Sequence, residues 1–196
     1  MNNIPNESEL KRVDWNRRYR EGFYKGTLEP HALLRKFWTS ISGKFVADIA
    51  MGSGRDALFL AGKGFLVTGL EGSVEAINIA KGTMFERNTS LLPVLGDADH
   101  IPYRRRSLDC LLVFYFFKRE IMKELELLLR KGGILMYETF LKRQNSLDRP
   151  RNPDYLLEDG ELLGHFKELE ILLYEEVIEN KGGRKKAVAR IVGRKR

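Results

Sequence analysis

The sequence predicts one α/β domain, a doubly wound and mostly parallel sheet with an antiparallel strand near the C-terminus. Three observations predict it. Short apolar runs alternate with helix-period segments along most of the chain, the pattern that lays helices over both faces of a parallel sheet. Leu108–Phe114 is an almost unbroken apolar run, as a strand covered on both faces requires. With 196 residues, 43% of them hydrophobic and 31% charged, the chain suits a single soluble domain with its own core and argues against disorder.

The elements follow in order. Residues 14–21 and 32–40 read as two short helices, so residues 1–42 are expected to cover an α/β core spanning 43–196. Residues 45–50 read as a buried strand and 56–63 as a helix ended by glycines at 62 and 64. A second strand is expected over 65–70 and a second helix over 74–85, whose apolar positions 74, 77 and 80 share one face. Residues 91–95 contain Pro93, which suits an edge strand. After the strand Leu108–Phe114, the leucine-rich segment 118–130 has a helical period, and Lys131-Gly132-Gly133 is expected to break it before a strand over 134–140. A short helix over 159–166 precedes a hairpin of strands 169–178 and 187–192, turned at Asn180-Lys181-Gly182-Gly183.

Charge sits unevenly. The net charge is +7, but residues 181–196 hold eight basic side chains and no acid, leaving 26 basic against 27 acidic residues before them. Such a tail suits nucleic acid or another anion. The reading favoured here is a solvated last strand facing Glu168, Glu170, Glu175, Glu176 and Glu179 across the hairpin. The single cysteine, Cys110, excludes a disulfide framework, and mid-strand among leucines it reads as core. His31, His100 and His165 share no metal-ligand spacing, and no visible partner is found for His31 or His165. Residues 1–10 lack a signal peptide's apolar stretch, and no run is long enough for a bilayer, so a cytoplasmic protein without membrane association is expected.

The informative segment is Val46–Ser73. A strand ends in Asp48-Ile49-Ala50-Met51-Gly52-Ser53-Gly54 and a helix follows with Arg55. Small residues at 50, 52 and 54 let the backbone turn tightly and approach a ligand, and the helix start offers free N–H groups. The next strand runs into Glu71, where a carboxylate can accept from a ribose diol, followed by Gly72 and Ser73. Gly52-x-Gly54-x-x-Ala57 also satisfies the loose dinucleotide fingerprint, so a nicotinamide-dependent oxidoreductase is an alternative.

Asp48-x-Ala50-x-Gly52-x-Gly54 resembles the acid-x-Gly-x-Gly-x-Gly loop of methyltransferases that use S-adenosylmethionine (SAM), with Ala50 replacing the first glycine. Gly96-Asp97-Ala98, Ser107–Val113 and Leu129–Leu135 resemble later elements of the same family in order, over roughly residues 45–140. Asp14-Trp15-Asn16-Arg17-Arg18-Tyr19, Gly54–Ala61, Tyr137–Phe140 and Arg149–Pro153 are similar to the small bacterial tellurite-resistance-type group. The resemblance implies a Rossmann-like methyltransferase sheet and SAM as cofactor, with no metal. It implies cofactor contacts at Trp15, Tyr19, Asp48, Ala50, Met51, Gly52, Ser53, Gly54, Arg55, Glu71, Gly72, Ser73, Asp97, Ala98 and Phe114.

Methyl transfer needs no triad when the acceptor is a thiol, an amine or a soft anion, and none is evident. The acceptor-side candidates are Tyr115 and Phe116, one of which should point into the crevice, with Arg119, Arg149 and Arg151 as anion holders. Phe114 and Phe117 read as core. A small-molecule acceptor is expected. The alternatives are RNA or protein methylation through the basic strand, and a non-catalytic partner protein of the same fold.

Overall fold

The computed structural model describes residues 15–22, 28–148, 151–181 and 183–196. Residues 15–20 form a helix, α1. It is followed by α2 (Ala32–Phe37), β1 (Phe45–Ile49), α3 (Arg55–Gly62), β2 (Leu66–Glu71), α4 (Val74–Glu86) and β3 (Leu92–Leu95). Then come β4 (Leu108–Phe114), α5 (Met122–Leu128), β5 (Leu129–Phe140), α6 (Glu161–His165), β6 (Glu170–Lys181) and β7 (Arg184–Arg194). The seven strands make one sheet in the order β3-β2-β1-β4-β5-β7-β6. The pairs from β3 to β5 are parallel, and β7 runs antiparallel to both β5 and β6.

Alternation along the central strands splits the core into two layers. Ala47, Ile49, Leu111, Val113, Leu135 and Tyr137 face α5 and α6 through Met122, Leu125, Leu162 and Phe166. Val46, Cys110, Leu112, Ile134 and Met136 face α2, α3 and α4 through Leu33, Leu34, Ala57, Leu58, Leu60, Ile77 and Ala80. Cys110 is fully buried, as expected of a core residue, and burial pushes its thiol up. β3, which contains Pro93, is the edge strand, as the proline required. Ser73 caps α4 by accepting from the Ala76 amide at 3.2 Å.

Two expectations about the elements are corrected. The helix expected over 118–130 is a single 3₁₀ turn, Arg119–Ile121, leading into α5, and the strand begins at Leu129 rather than 134. Leu129 pairs with Leu108 across a bulge, and the two glycines lie inside the strand. A Cβ on Gly133 would stand 2.9 Å from the Arg130 and Leu108 carbonyl oxygens, so tertiary pairing claims this stretch despite its helical period.

The second correction concerns the basic strand. β7 is not a solvated last strand but lies between β5 and β6, with Ala187–Ala189 and Ile191–Gly193 buried. Three of the five acids expected across the hairpin pair with it. Arg190 bonds Glu175 and Glu179, and Arg194 bonds Glu170. Arg190 also meets Glu138 of β5 at 2.9 Å, and Lys195 pairs with Glu126 of α5. Of the expected turn, Gly182 lies outside the described residues, as does Asp14 of the first helix.

Candidate active site

The site forms at the C-terminal ends of the parallel strands, where β1 passes into α3. Ala50 (φ 55°), Gly52 (φ 58°) and Gly54 (φ 78°) all take the left-handed backbone conformation. Ala50 thus holds a glycine-like conformation at the one position that departs from the family loop. The two glycines face different surroundings. A Cβ on Gly52 would lie 2.5 Å from the Tyr19 hydroxyl, whereas one on Gly54 would meet Ala80, Leu91 and Leu58 at 3.4–3.7 Å. A large side chain at 54 therefore disrupts the core, and 52 is the position that opens onto the site. Met51 is buried against Gly69 of β2, so it packs on the sheet. Ser53 is half-buried in the turn.

Glu71 fastens this loop. Its Oε2 accepts from the Gly52 amide and its Oε1 from the Ser73 amide, both at 2.8 Å. Burial raises its carboxyl above the usual range, against the lowering effect of the Ser73, Gly52 and Gly72 amides. Asp48, buried in β1, is raised well above its ordinary value by burial and by the nearby charges of Asp56 and Glu71. A raised carboxyl favours the protonated form in the fold, so its cost is absent at low pH and complete once pH exceeds the raised value. Asp48→Asn is therefore expected to stabilise the protein at pH 8, by about 2–4 °C per kcal/mol relieved, with the gain fading towards pH 4. Calorimetry across pH checks this, and a variant melting below wild type at pH 8 would show that the carboxylate's bond to the Ala57 amide dominates.

α1 lies over the loop. Asn16 Oδ1 accepts from Ser73 Oγ at 2.7 Å and from the Glu75 amide at 3.3 Å, and Arg20 pairs with Glu75 at 3.0 Å. These contacts pin the helix to the start of α4 and bring the Tyr19 hydroxyl to Gly52. Trp15 is more exposed, with Arg18 5.2 Å above its ring. Asn16 was not expected as a contact, because its partner lies 57 residues away. Beyond β3, the half-buried Asp97 accepts from the Asp99 amide at 3.2 Å, and Ala98 is buried beside it.

The aromatic run after β4 divides between the two faces. Tyr115 faces a cavity of about 100 Å³, while Phe116 packs against the opposite layer and Phe117 is core. Tyr115 takes φ 55°, and its amide donates to the Glu138 carbonyl at 2.8 Å. Its phenol is pushed up by burial and by the Glu138 charge. Phe114 is buried and stacks on His31 at 4.1 Å, with the rings 10° from parallel. Arg55 and Lys186 also line the cavity, with Lys186 Nζ 3.3 Å from the Tyr115 hydroxyl.

One acceptor-side candidate is engaged by other residues of the chain, and one falls out of view. Arg119 is taken up structurally, donating to both Glu161 oxygens at 2.7 and 2.8 Å and to the Asp154 and Leu156 carbonyls. It joins the end of β4 to the segment before α6. Arg149 lies outside the described residues. Arg151 is exposed and stacks on Phe140 at 4.2 Å, which in turn meets Tyr115 at 4.8 Å. One expectation about the histidines is corrected: His31 was expected to lack a partner. Its Nδ1 stands 2.6 Å from Asp56 Oδ2 and its amide donates to Asp56 Oδ1 at 2.8 Å. The only sequence signal was an acid in the first turn of α3. Among the described residues no cluster suits a metal ion, and no helix is long and apolar enough to cross a membrane.

Residues 46–133 match the family model described as a methyltransferase domain. The matched stretch holds the glycine loop, β1 to β4 and the start of β5. The match selects between the two nucleotide readings of the glycine loop, and the methyltransferase fold extends beyond the matched residues. TehB from Haemophilus influenzae is similar at TM-score 0.75 and 22% identity, over 91% of this chain and 66% of TehB. The chain thus spans 66% of TehB's length. A SAM-dependent methyltransferase from Methanosarcina mazei is similar at TM-score 0.66 and 19% identity, over 85% of this chain and 98% of that one. A SAM-dependent methyltransferase from Mesorhizobium loti is similar at 0.69 and 15%, over 87% and 99%. No curated protein matches in sequence.

Proposed function

We propose that this chain transfers a methyl group from SAM to a small-molecule acceptor bound beside Tyr115. The observation that carries the reading is the glycine loop, held by Glu71 under α1 and followed by Arg55, which lines a small polar cavity. When bound, SAM supplies a sulfonium methyl that an acceptor attacks in line. The residues suit it. Each Glu71 oxygen takes one backbone amide and keeps a lone pair for a ribose hydroxyl. The left-handed turns at 50, 52 and 54 let the backbone approach the ligand, and Tyr19 covers it from above. Asp97, past β3, is the candidate acceptor for an adenine amino group, and Tyr115, at the cavity, is the candidate ring for a sulfonium. Position and desolvation then do most of the work asked of the protein.

A cavity of about 100 Å³ favours a small acceptor over a polymer. On the basic strand, Arg190, Arg194 and Lys195 are already paired with acids, which reduces the charge left for a polymer. The test incubates radiolabelled SAM with fractionated cell extract and uses Gly52→Val as blank. Label in the small-molecule fraction is expected, and label confined to RNA or protein would overturn the small-molecule reading.

A further inference from the structure

We propose that His31, oriented by Asp56, is the general base that removes the proton from a hydroxyl acceptor in the Tyr115 cavity. The proposal rests on the methyl-transfer reading above and adds the acceptor class. Arginine can only donate, and Asp56 only accepts while ionised. Asp56 therefore takes the proton of Nδ1, and the backbone amide of His31 fixes the other carboxylate oxygen at 2.8 Å. The remaining nitrogen, Nε2, is the accepting one, and it accepts from Arg55 Nη2, which also lies 2.9 Å from Nδ1. The ring cannot swing, being stacked on Phe114 at 4.1 Å and flanked by Tyr115 at 5.1 Å.

This is the arrangement in which a carboxylate sets the tautomer of an imidazole and stabilises the imidazolium that forms. The Asp56 and His31 side chains are 6% and 11% exposed, so the pair is a buried one and not a solvated surface contact. The ring is bordered by Asp56 and Arg55 from α3 and by Glu29 and Arg35 around α2. From the sheet, Glu138 of β5, Glu179 of β6, and Lys186 and Arg190 of β7 line the same cavity. Glu138 and Glu179 are bonded to Arg190, which leaves Asp56 as the carboxylate that touches the imidazole.

In the step, the acceptor's O–H displaces the Arg55 N–H at Nε2, which takes that proton while the oxygen forms its bond to the methyl carbon. The carbon–sulfur bond breaks, its electron pair returns to sulfur as S-adenosylhomocysteine, and the proton later leaves His31 for solvent. Arg55 and Lys186 stand beside the oxygen as charge develops on it. A soft anion or thiolate would need no such base, so a buried dyad at this cavity points to a hydroxyl.

The first measurement needs no acceptor. Nitrogen-15 spectra of the imidazoles across pH, assigned with His31→Gln, are expected to show the Nδ1–H tautomer, lost in Asp56→Asn. An Nε2–H tautomer, or an imidazolium unchanged to pH 9, would overturn the proposal. The second uses SAM with a carbon-13 methyl and the labelled small-molecule fraction. An O-methyl product is expected, with His31→Gln slowing its formation about 10²- to 10⁴-fold and removing the rise of rate with pH. S-adenosylhomocysteine affinity should stay within about two-fold in that variant. A sulfur- or metalloid-bound methyl formed equally fast by His31→Gln would overturn the base and leave methyl transfer standing. Failure of the wild-type protein to bind S-adenosylhomocysteine would instead overturn the methyl-transfer reading itself.

Discussion

Glu71→Ala is expected to weaken S-adenosylhomocysteine binding about 100-fold. Two hydrogen bonds from a ribose diol to a carboxylate are lost, each worth roughly 1.5–3 kcal/mol, and about 1.4 kcal/mol is tenfold in affinity. The loop itself also loosens, because the Gly52 and Ser73 amides both donate to this carboxylate. Ser73 is fully buried, so its amide is left without its acceptor in a dry place, at about 1–3 kcal/mol of stability. Glu71→Gln separates the two effects. It keeps the shape but turns one acceptor into a donor that faces a backbone N–H, so it is expected to bind more weakly than wild type while melting closer to it than Glu71→Ala. Titration calorimetry reads the affinity and thermal melting the stability. Wild-type affinity in Glu71→Ala would remove the assigned ribose site.

Arg190→Met is expected to destabilise the fold by about 3–5 kcal/mol, the usual result of removing one partner of a buried ion pair. The guanidinium of Arg190 is 12% exposed and meets Glu138, Glu175 and Glu179. Glu175 and Glu179 reach water once released, but the Glu138 side chain is 6% exposed and would be left charged inside the sheet. For a domain of this size the loss corresponds to a fall in melting temperature of roughly 10 °C. The double variant Arg190→Met/Glu138→Gln should recover most of it, since the stranded charge is gone. Urea unfolding of the four proteins in the cycle measures the coupling. A single variant within about 0.5 kcal/mol of wild type would mean that Arg190 is a spectator.

The same residues show how far the chain can be read without its fold. Local rules located the loop well. A strand that ends in Asp48, small residues at alternating positions and an acid at the close of the next strand are all short-range features, and each occupies the expected element. The capping serine, the edge proline and the doubly buried β4 are legible for the same reason, because a period or a single residue's stereochemistry encodes them. Gly54 marks the limit. Its left-handed conformation was implied by the turn, but the direction its missing side chain would take, into Ala80 and Leu91, depends on how α4 and the stretch before β3 pack over α3.

What the sequence by itself determined was the order of strands and helices, the glycine loop with Glu71, and the aromatic run at the end of β4. Only the tertiary structure decided the polar pairings: His31 with Asp56 across 25 positions, Arg119 with Glu161 across 42, and Asn16 with Ser73 across 57. It also decided that the basic strand lies inside the sheet and that Tyr115, not Phe116, faces the cavity. The physical reason is one of range. Periodicity and turn chemistry act between neighbours a few residues apart, so they are written along the chain. A salt bridge or a buried dyad forms only once folding has closed a long loop, and nothing in the spacing of its two residues records the pairing.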